Sequence, residues 1–163
     1  MDVAQVLPMK GGTPETSYSH NSLFQQKVIS ATKPIREDVI TCFYRETIPQ
    51  NQAFADLGCS FGPNTCFVSF DLIEIVEKLC RDLNQESPEY MILLNDLPSN
   101  DFNIIFKSFE SFKQKLSKEV IGGVGSCYIT DVPGSFNGKI FPTISLHFVH
   151  SSYNLHWISK IHI

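Results

Sequence analysis

Several things are scarce in this sequence. Of its 163 residues only 13 are Lys or Arg, against 17 Asp or Glu, and the net charge is −4. Phosphate contacts need clustered cations, so this balance argues against a general nucleic-acid binder. No apolar run approaches the roughly 20 residues needed to span a bilayer, which argues against a membrane protein. The start, MDVAQVLPMK, has neither the basic opening nor the apolar stretch of a secretory signal, so the expected compartment is the cytoplasm. Five cysteines are present, Cys42, Cys59, Cys66, Cys80 and Cys127, and no pair has C-x-x-C spacing. An odd number without that spacing fits neither a disulfide framework nor a structural zinc site, and no metal is expected. Mostly buried free thiols are expected instead. Apolar residues, at 42%, are too many for a disordered chain.

What remains fits one domain. Residues 1–50 read as an N-terminal arm with helices, and 51–163 as an α/β portion. Pro8, Gly11, Gly12 and Pro14 break the first stretch. A helix is predicted from about Ser19 to Thr32, and Pro34 opens a second that ends near Ile48-Pro49. Gln52–Gly58 reads as a buried strand. From Asn64 to about Asn84, Val68, Leu72, Ile75, Val76, Leu79 and Leu83 form one apolar stripe, with Asp71, Glu74, Lys78 and Arg81 opposite. Tyr90–Asn95 is a second strand. Asn100 or Asp101 can cap a helix whose stripe is Phe102, Ile105, Phe106, Phe109 and Leu116. Cys127–Thr130 and Ser145–His150 are the third and fourth strands. Apolar strands alternating with amphipathic helices imply an α/β fold with a parallel sheet and flanking helices.

The chemistry concentrates where the first strand meets its helix. The pattern there is D-x-G-x-x-x-G, with Asp56, Gly58 and Gly62. It differs from the G-x-G-x-x-G of dinucleotide binders, so a nicotinamide-dependent oxidoreductase is disfavoured. A diphosphate beside Asp56 would be repelled, whereas a cationic sulfonium with an amino-acid tail would be attracted. Asp96 ends the second strand, where a carboxylate can accept hydrogen bonds from both hydroxyls of a ribose. Each acid alone could equally be an ordinary turn residue. Together, at the ends of two strands, they point to S-adenosylmethionine.

Longer motifs then carry a resemblance. Met9–Gly12 (MKGG), Ser17–Ser22 (SYSHNS), Ala55–Cys59 (ADLGC), Gly62–Thr65 (GPNT), Asn95–Pro98 (NDLP), Asn100–Asn103 (NDFN), Val132–Phe136 (VPGSF), Ser145–Tyr153 (SLHFVHSSY) and Leu155–Trp157 (LHW) run through nearly the whole chain. In these the chain resembles the plant SABATH family of methyltransferases. That family methylates carboxyl groups of small acids such as salicylate, benzoate and jasmonate, or ring nitrogens of xanthines. The resemblance implies a Rossmann-like class I methyltransferase sheet. Carried over residue by residue, cofactor contacts fall on Lys10, Tyr18, Ser22, Asp56, Cys59, Asn64, Asp96, Leu97, Ser135 and Phe136. Substrate contacts fall on Gln25, Tyr153, His156 and Trp157. Asp96 would hold the ribose, Ser135 and Phe136 would flank the adenine, and Gln25 and Trp157 would hold a substrate carboxylate. A homodimer, as in the family, is also implied.

The residues make physical sense of these roles. Tyr18, Ser22 and Gln25, spaced i, i+4 and i+7, would form one polar stripe on a helix, although a solvated helix face has the same spacing. Tyr153 and Trp157 offer flat apolar walls with an O–H and an N–H, or simply core packing. No nucleophilic triad is present and none is required, because a carboxylic acid is already ionised at neutral pH. The enzyme's task is positioning. A histidine base, His150 or His156, would be needed only for a phenol or ring nitrogen. Phe61 and Asn137 depart from the family pattern. The largest departure is length, since family members are more than twice as long. The expected sheet, of order 3-2-1-4, would therefore lack the later strands and the helical cap, with the fourth strand as an exposed apolar edge. The alternative to an active methyltransferase is a non-catalytic fragment that binds cofactor weakly or pairs with a full-length relative.

Overall fold

Two helices lead into the sheet because Thr32 and Pro34 interrupt what would otherwise be one. The computed structural model describes residues 23–60, 64–119 and 124–154. Helix α1 spans Leu23–Ala31 and α2 spans Lys33–Thr47. The Thr32 hydroxyl donates to the carbonyls of Val28 and Ile29, both at 3.0 Å, closing α1 where the next turn begins. Helix α2 ends at Ile48, which takes a left-handed conformation and returns its N–H to the Tyr44 carbonyl at 2.8 Å.

Strand β1, Asn51–Leu57, is buried at every position from Gln52 to Asp56. Helix α3, Asn64–Asp82, joins it to β2, Glu89–Asp96. Helix α4, Phe102–Glu119, joins β2 to β3, Cys127–Pro133, and a loop leads to β4, Phe148–Ser151. Of the two caps expected for α4, Asp101 is the one used, its Oδ1 accepting the Asn103 N–H at 3.1 Å. The four strands are all parallel in the order β3-β2-β1-β4, as the motifs implied.

The core lies between the sheet and the helices. The α3 stripe is buried as expected at Val68, Leu72, Ile75, Val76 and Leu79 and partly at Leu83, and Ile73, outside the stripe, is buried with it. Each such side chain contributes on the order of 1.5–3 kcal/mol. It packs in one cluster with Phe54, Tyr90 and Ile92 of the sheet and Ile40 and Tyr44 of α2. On α4 the buried residues are Ile105, Phe112 and Leu116, while Phe106 is exposed. Ile105, Phe109, Phe112 and Leu116 keep the i, i+4, i+7, i+11 spacing of one face, and Phe106 sits one residue, about 100°, round from it. It rests against Phe109 instead, ring centroids 5.3 Å apart.

Three further details depart from the sequence reading. Asp71 and Glu74 of α3 are tied into ion pairs with α2, which their spacing alone does not announce. Arg36, buried on α2, reaches Asp71 at 2.6 Å, and Lys33 reaches Asp71 and Glu74, each at 2.9 Å. These pairs clamp α2 to α3, and despite the desolvation that opposes it, the two acids raise the Lys33 pKa. Cys42 is exposed, whereas Cys59 and Cys80 are buried. Finally, β4 starts at Phe148 rather than Ser145. Ile144 is left-handed and 99% exposed, which extended pairing forbids. At the next rung His147 donates its N–H to the Ala53 carbonyl at 2.9 Å, and its ring Nδ1 accepts the Ala53 N–H at 3.0 Å. An imidazole thus replaces the backbone carbonyl that would have continued the strand. On the outer strand Val149 is half exposed, and it shares a sheet face with exposed Met91 and Tyr128.

Candidate functional site

In a parallel sheet of this kind, ligands bind beyond the carboxyl ends of the strands, where the order reverses. Here that point lies between β1 and β4. The loops leaving β1, β2, β3 and β4 there carry seven of the predicted residues: Asp56, Cys59, Asp96, Leu97, Ser135, Phe136 and Tyr153.

The β1 loop is shaped by a close approach. Gly58 has φ +68°, and a Cβ there would lie 2.4 Å from the Asn154 side chain. Both facts require glycine. Asn154, buried, donates from Nδ2 to the Leu57 carbonyl at 2.6 Å, so the segment after β4 is tied to the end of β1. Cys59 follows, buried, with its N–H on the Asn95 carbonyl at 2.9 Å. Ser60 is left-handed at φ 58°, an unusual state for a residue with a side chain, costing about 1–2 kcal/mol.

Asp96 organises the centre. Its Oδ1 accepts the Leu97 N–H and its Oδ2 accepts the Ser60 N–H, both at 2.7 Å. Each oxygen keeps a further lone pair. Burial pushes the Asp96 carboxyl above its usual range; the two N–H donors pull it back, and the neighbouring Asp56 adds to the rise. The Asp96 carbonyl accepts the Gly134 N–H at 2.8 Å, which ties the loop carrying Ser135 and Phe136 to the end of β2. Buried Asn95 locks the same loop by donating to Val132 and Gly134 at 2.7 and 2.9 Å. Asn100 donates from Nδ2 to the Ser60 carbonyl at 3.0 Å. Among the described residues, Ser60 Oγ, Asn95 Oδ1 and Asn100 Oδ1 are buried without a hydrogen-bond partner. Such orphans cost about 1–3 kcal/mol each, and a cluster of them marks a site kept for a reason other than stability.

Asp56 behaves differently from the expectation of an acid open to the pocket. It is buried, and its Oδ1 meets His150 Nδ1 at 2.8 Å, directly across the β1–β4 register. Burial raises the carboxyl above its usual range, while the His150 contact and, more distantly, Arg36 oppose the rise. A histidine held this way is a partner of Asp56, and its Nδ1 is already committed.

An open cleft of about 410 Å³, lined by Val28, Ser151, Ser152, Tyr153 and Asn154, lies between α1 and the end of β4. Tyr153 is left-handed and partly exposed there. Gln25 stands one turn before Val28, on the same side of α1. Asn64 is the first residue of α3. Lys10, Tyr18, Ser22, His156 and Trp157 lie outside the described residues, as does Phe61. Sequence reading missed Ser60, Asn100 and Asn154. Only Asn100 carried a signal, as an alternative cap next to Asp101.

The donor set fits an adenosyl cofactor. A buried carboxylate offers one lone pair on each oxygen, beside a cluster of buried polar atoms without protein partners among the described residues. The comparisons agree. The family model described as SAM-dependent carboxyl methyltransferase matches residues 4–162. Salicylate carboxymethyltransferase of Clarkia breweri is 52% identical over 165 residues, covering 100% of this chain and 44% of that protein. The benzoic acid/salicylic acid carboxyl methyltransferase 2 of Petunia hybrida is 47% identical over 161 residues, covering 99% of this chain and 45% of that protein. Among solved structures, a loganic acid methyltransferase with SAH matches at a TM-score of 0.74 and 35% identity, covering 94% of this chain and 42% of that one. The chain thus spans less than half the length of these relatives. It belongs to the family of S-adenosylmethionine-dependent carboxyl methyltransferases.

Proposed function

We propose that this chain binds S-adenosylmethionine beyond β1, β2 and β3 and takes part in methylating the carboxylate of a small acid of the salicylate, benzoate or jasmonate kind. The observation that carries this reading is Asp96, whose two oxygens are each fixed by one backbone N–H at 2.7 Å and each left with a lone pair for a ribose hydroxyl. When bound, the cofactor supplies an electrophilic methyl on a sulfonium.

The chain's own residues bind and orient. Asp96 and Leu97 take the ribose, Ser135 and Phe136 flank the adenine, and Asp56, Cys59 and Asn64, with Lys10, Tyr18 and Ser22, hold the amino-acid tail and sulfur. Gln25, Tyr153, His156 and Trp157 face the acid. The acceptor is already ionised, so no side chain need remove a proton. Residues 1–50 serve as arm and helices, and 51–163 as the cofactor-binding portion. A cytoplasmic setting in plant secondary metabolism and a homodimer complete the proposal.

A second reading shares the cofactor site but not the turnover. In it the chain binds cofactor without turnover, alone or paired with a longer relative. Calorimetric titration with S-adenosylhomocysteine, followed by labelled S-adenosylmethionine with salicylate or benzoate, separates the two. Methyl ester formation supports catalysis. Binding without ester supports the second reading, and absence of binding sinks both.

A further inference from the structure

We propose that Asn100 is a positioning residue for the cofactor's ribose, acting through the peptide of Ser60. The proposal rests on the reading of Asp96 as the ribose ligand. A carboxylate that must receive two neighbouring hydroxyls has to present both oxygens in one fixed plane. Two N–H donors set that plane here. The Leu97 N–H on Oδ1 belongs to the next residue and comes with β2 itself. The Ser60 N–H on Oδ2 comes from another loop, where Ser60 holds φ 58°.

That conformation is unfavourable for serine, so something must hold it. Asn100 is placed to do so. Its own N–H is anchored on the Leu97 carbonyl at 2.9 Å, and its Nδ2 grips the Ser60 carbonyl at 3.0 Å. The Ser60 backbone is therefore held on both sides of its Cα, by Asp96 at the end of β2 on the N–H and by Asn100 beyond it on the carbonyl. The two side chains are 4% and 9% exposed, and Ser60 Oγ and Asn100 Oδ1 find no partner among the described residues. A hydroxyl and an amide chosen for their own stability would not be left in that state. The amide is retained for the one bond it makes, and that bond aims the ribose acceptor.

The test uses the full chain, with S-adenosylhomocysteine and its analogue lacking the ribose 2′-hydroxyl as probes, by calorimetry, and with thermal melts to verify folding. The unsubstituted chain should prefer S-adenosylhomocysteine by about tenfold or more, the worth of a hydrogen bond to a charged group. Asn100→Ala should weaken S-adenosylhomocysteine about tenfold while leaving the analogue within about twofold, so that discrimination collapses. Equal weakening of both ligands would mean a merely structural role and would overturn the proposal. If Asn100→Ala does not fold, Asn100→Asp, nearly the same shape but without the N–H donor, should show the same collapse; a folded Asn100→Asp that still discriminates also overturns it. Ser60→Gly, which keeps the peptide and removes Oγ, should retain discrimination, and its loss would shift the effect to the hydroxyl. An unsubstituted chain that ignores the 2′-hydroxyl would instead refute the ribose reading of Asp96.

Discussion

The two ends of the sheet each hold a cluster of buried polar groups, and they are built on opposite plans. At the amino end Glu77, buried on α3, accepts hydrogen bonds from the hydroxyls of Ser87 and Tyr90, the latter at 2.8 Å. Ser87 Oγ in turn accepts the Gly125 N–H at 2.7 Å, and the Tyr90 N–H meets the Ser126 carbonyl at 2.7 Å. Burial, followed by the charge of Glu77, holds the Tyr90 phenol well above its usual pKa. That network closes on itself, and Gln52 Nε2 is the one atom near it without a partner. At the carboxyl end the opposite holds. Among the described residues three buried polar atoms there are orphaned, Ser60 is left-handed, and Asp56 sits close enough to raise Asp96's cost of ionisation. A closed network gives stability to the fold. An open, strained one spends some of that stability on readiness for a ligand.

The contrast can be broken by experiment. The largest effect is expected at the amino end. A Cβ on Gly125 would lie 2.2 Å from the Pro88 carbonyl oxygen, a backbone atom that cannot swing away. Gly125→Ala should therefore cost about 3 kcal/mol or more in urea unfolding. The affinity of the folded fraction for S-adenosylhomocysteine should stay unchanged, and a loss of affinity at full stability would dissolve the distinction between the ends. Next comes Asp96→Ala, which should reduce that affinity by about 100-fold or more, since two charge-assisted bonds disappear, and should cost about 1–3 kcal/mol of stability, since the Leu97 and Ser60 N–H groups lose their acceptor. Unchanged binding in calorimetry would remove Asp96 from the site.

A smaller effect is expected from pH. The folded state raises the Asp96 carboxyl, so it binds a proton that the unfolded chain has already released. Stability then falls as pH rises above about 4, the ordinary Asp value. The sign is opposite to that of a salt-bridged acid. Compared with Asp96→Asn, whose amide does not titrate, the unsubstituted chain should lose melting temperature on going from acid towards neutral pH. An advantage of the unsubstituted chain over Asp96→Asn that grows with pH would contradict the direction. The smallest effect belongs to Ser60→Gly, which relieves the left-handed strain and should stabilise by up to about 1 kcal/mol in the same unfolding assay.

Much of this was legible in the residues. Buried strands at β1 and β2 follow from unbroken apolar runs, and α3 from a stripe with helical period. Asp96 is visible because a strand that ends in an acid before Leu97-Pro98 can only place that acid at the sheet's carboxyl end. Ser60 and Asn100 were not legible in the same way. They meet across 40 residues, and nothing in either local sequence announces the other. Gly58 is legible as part of the glycine pattern, yet the side chain that fills its space is Asn154, distant in sequence. The start of β4 was misplaced for a similar reason, because an apolar-looking run includes a residue whose side chain takes the place of backbone.

That substitution at His147 also fixes alignment. Side chains on a strand alternate, so a slip of β4 by one residue would turn His150 to the opposite face and bring Val149 or Ser151 against Asp56. Ordinary backbone rungs resist such a slip only weakly, because each is interchangeable with the next. The rung at Ala53 is not interchangeable: its N–H is received by an imidazole found at one position only. One histidine therefore acts as a register pin for another three residues on, and whether Asp56 has a partner is decided at the far end of the strand from the site it serves.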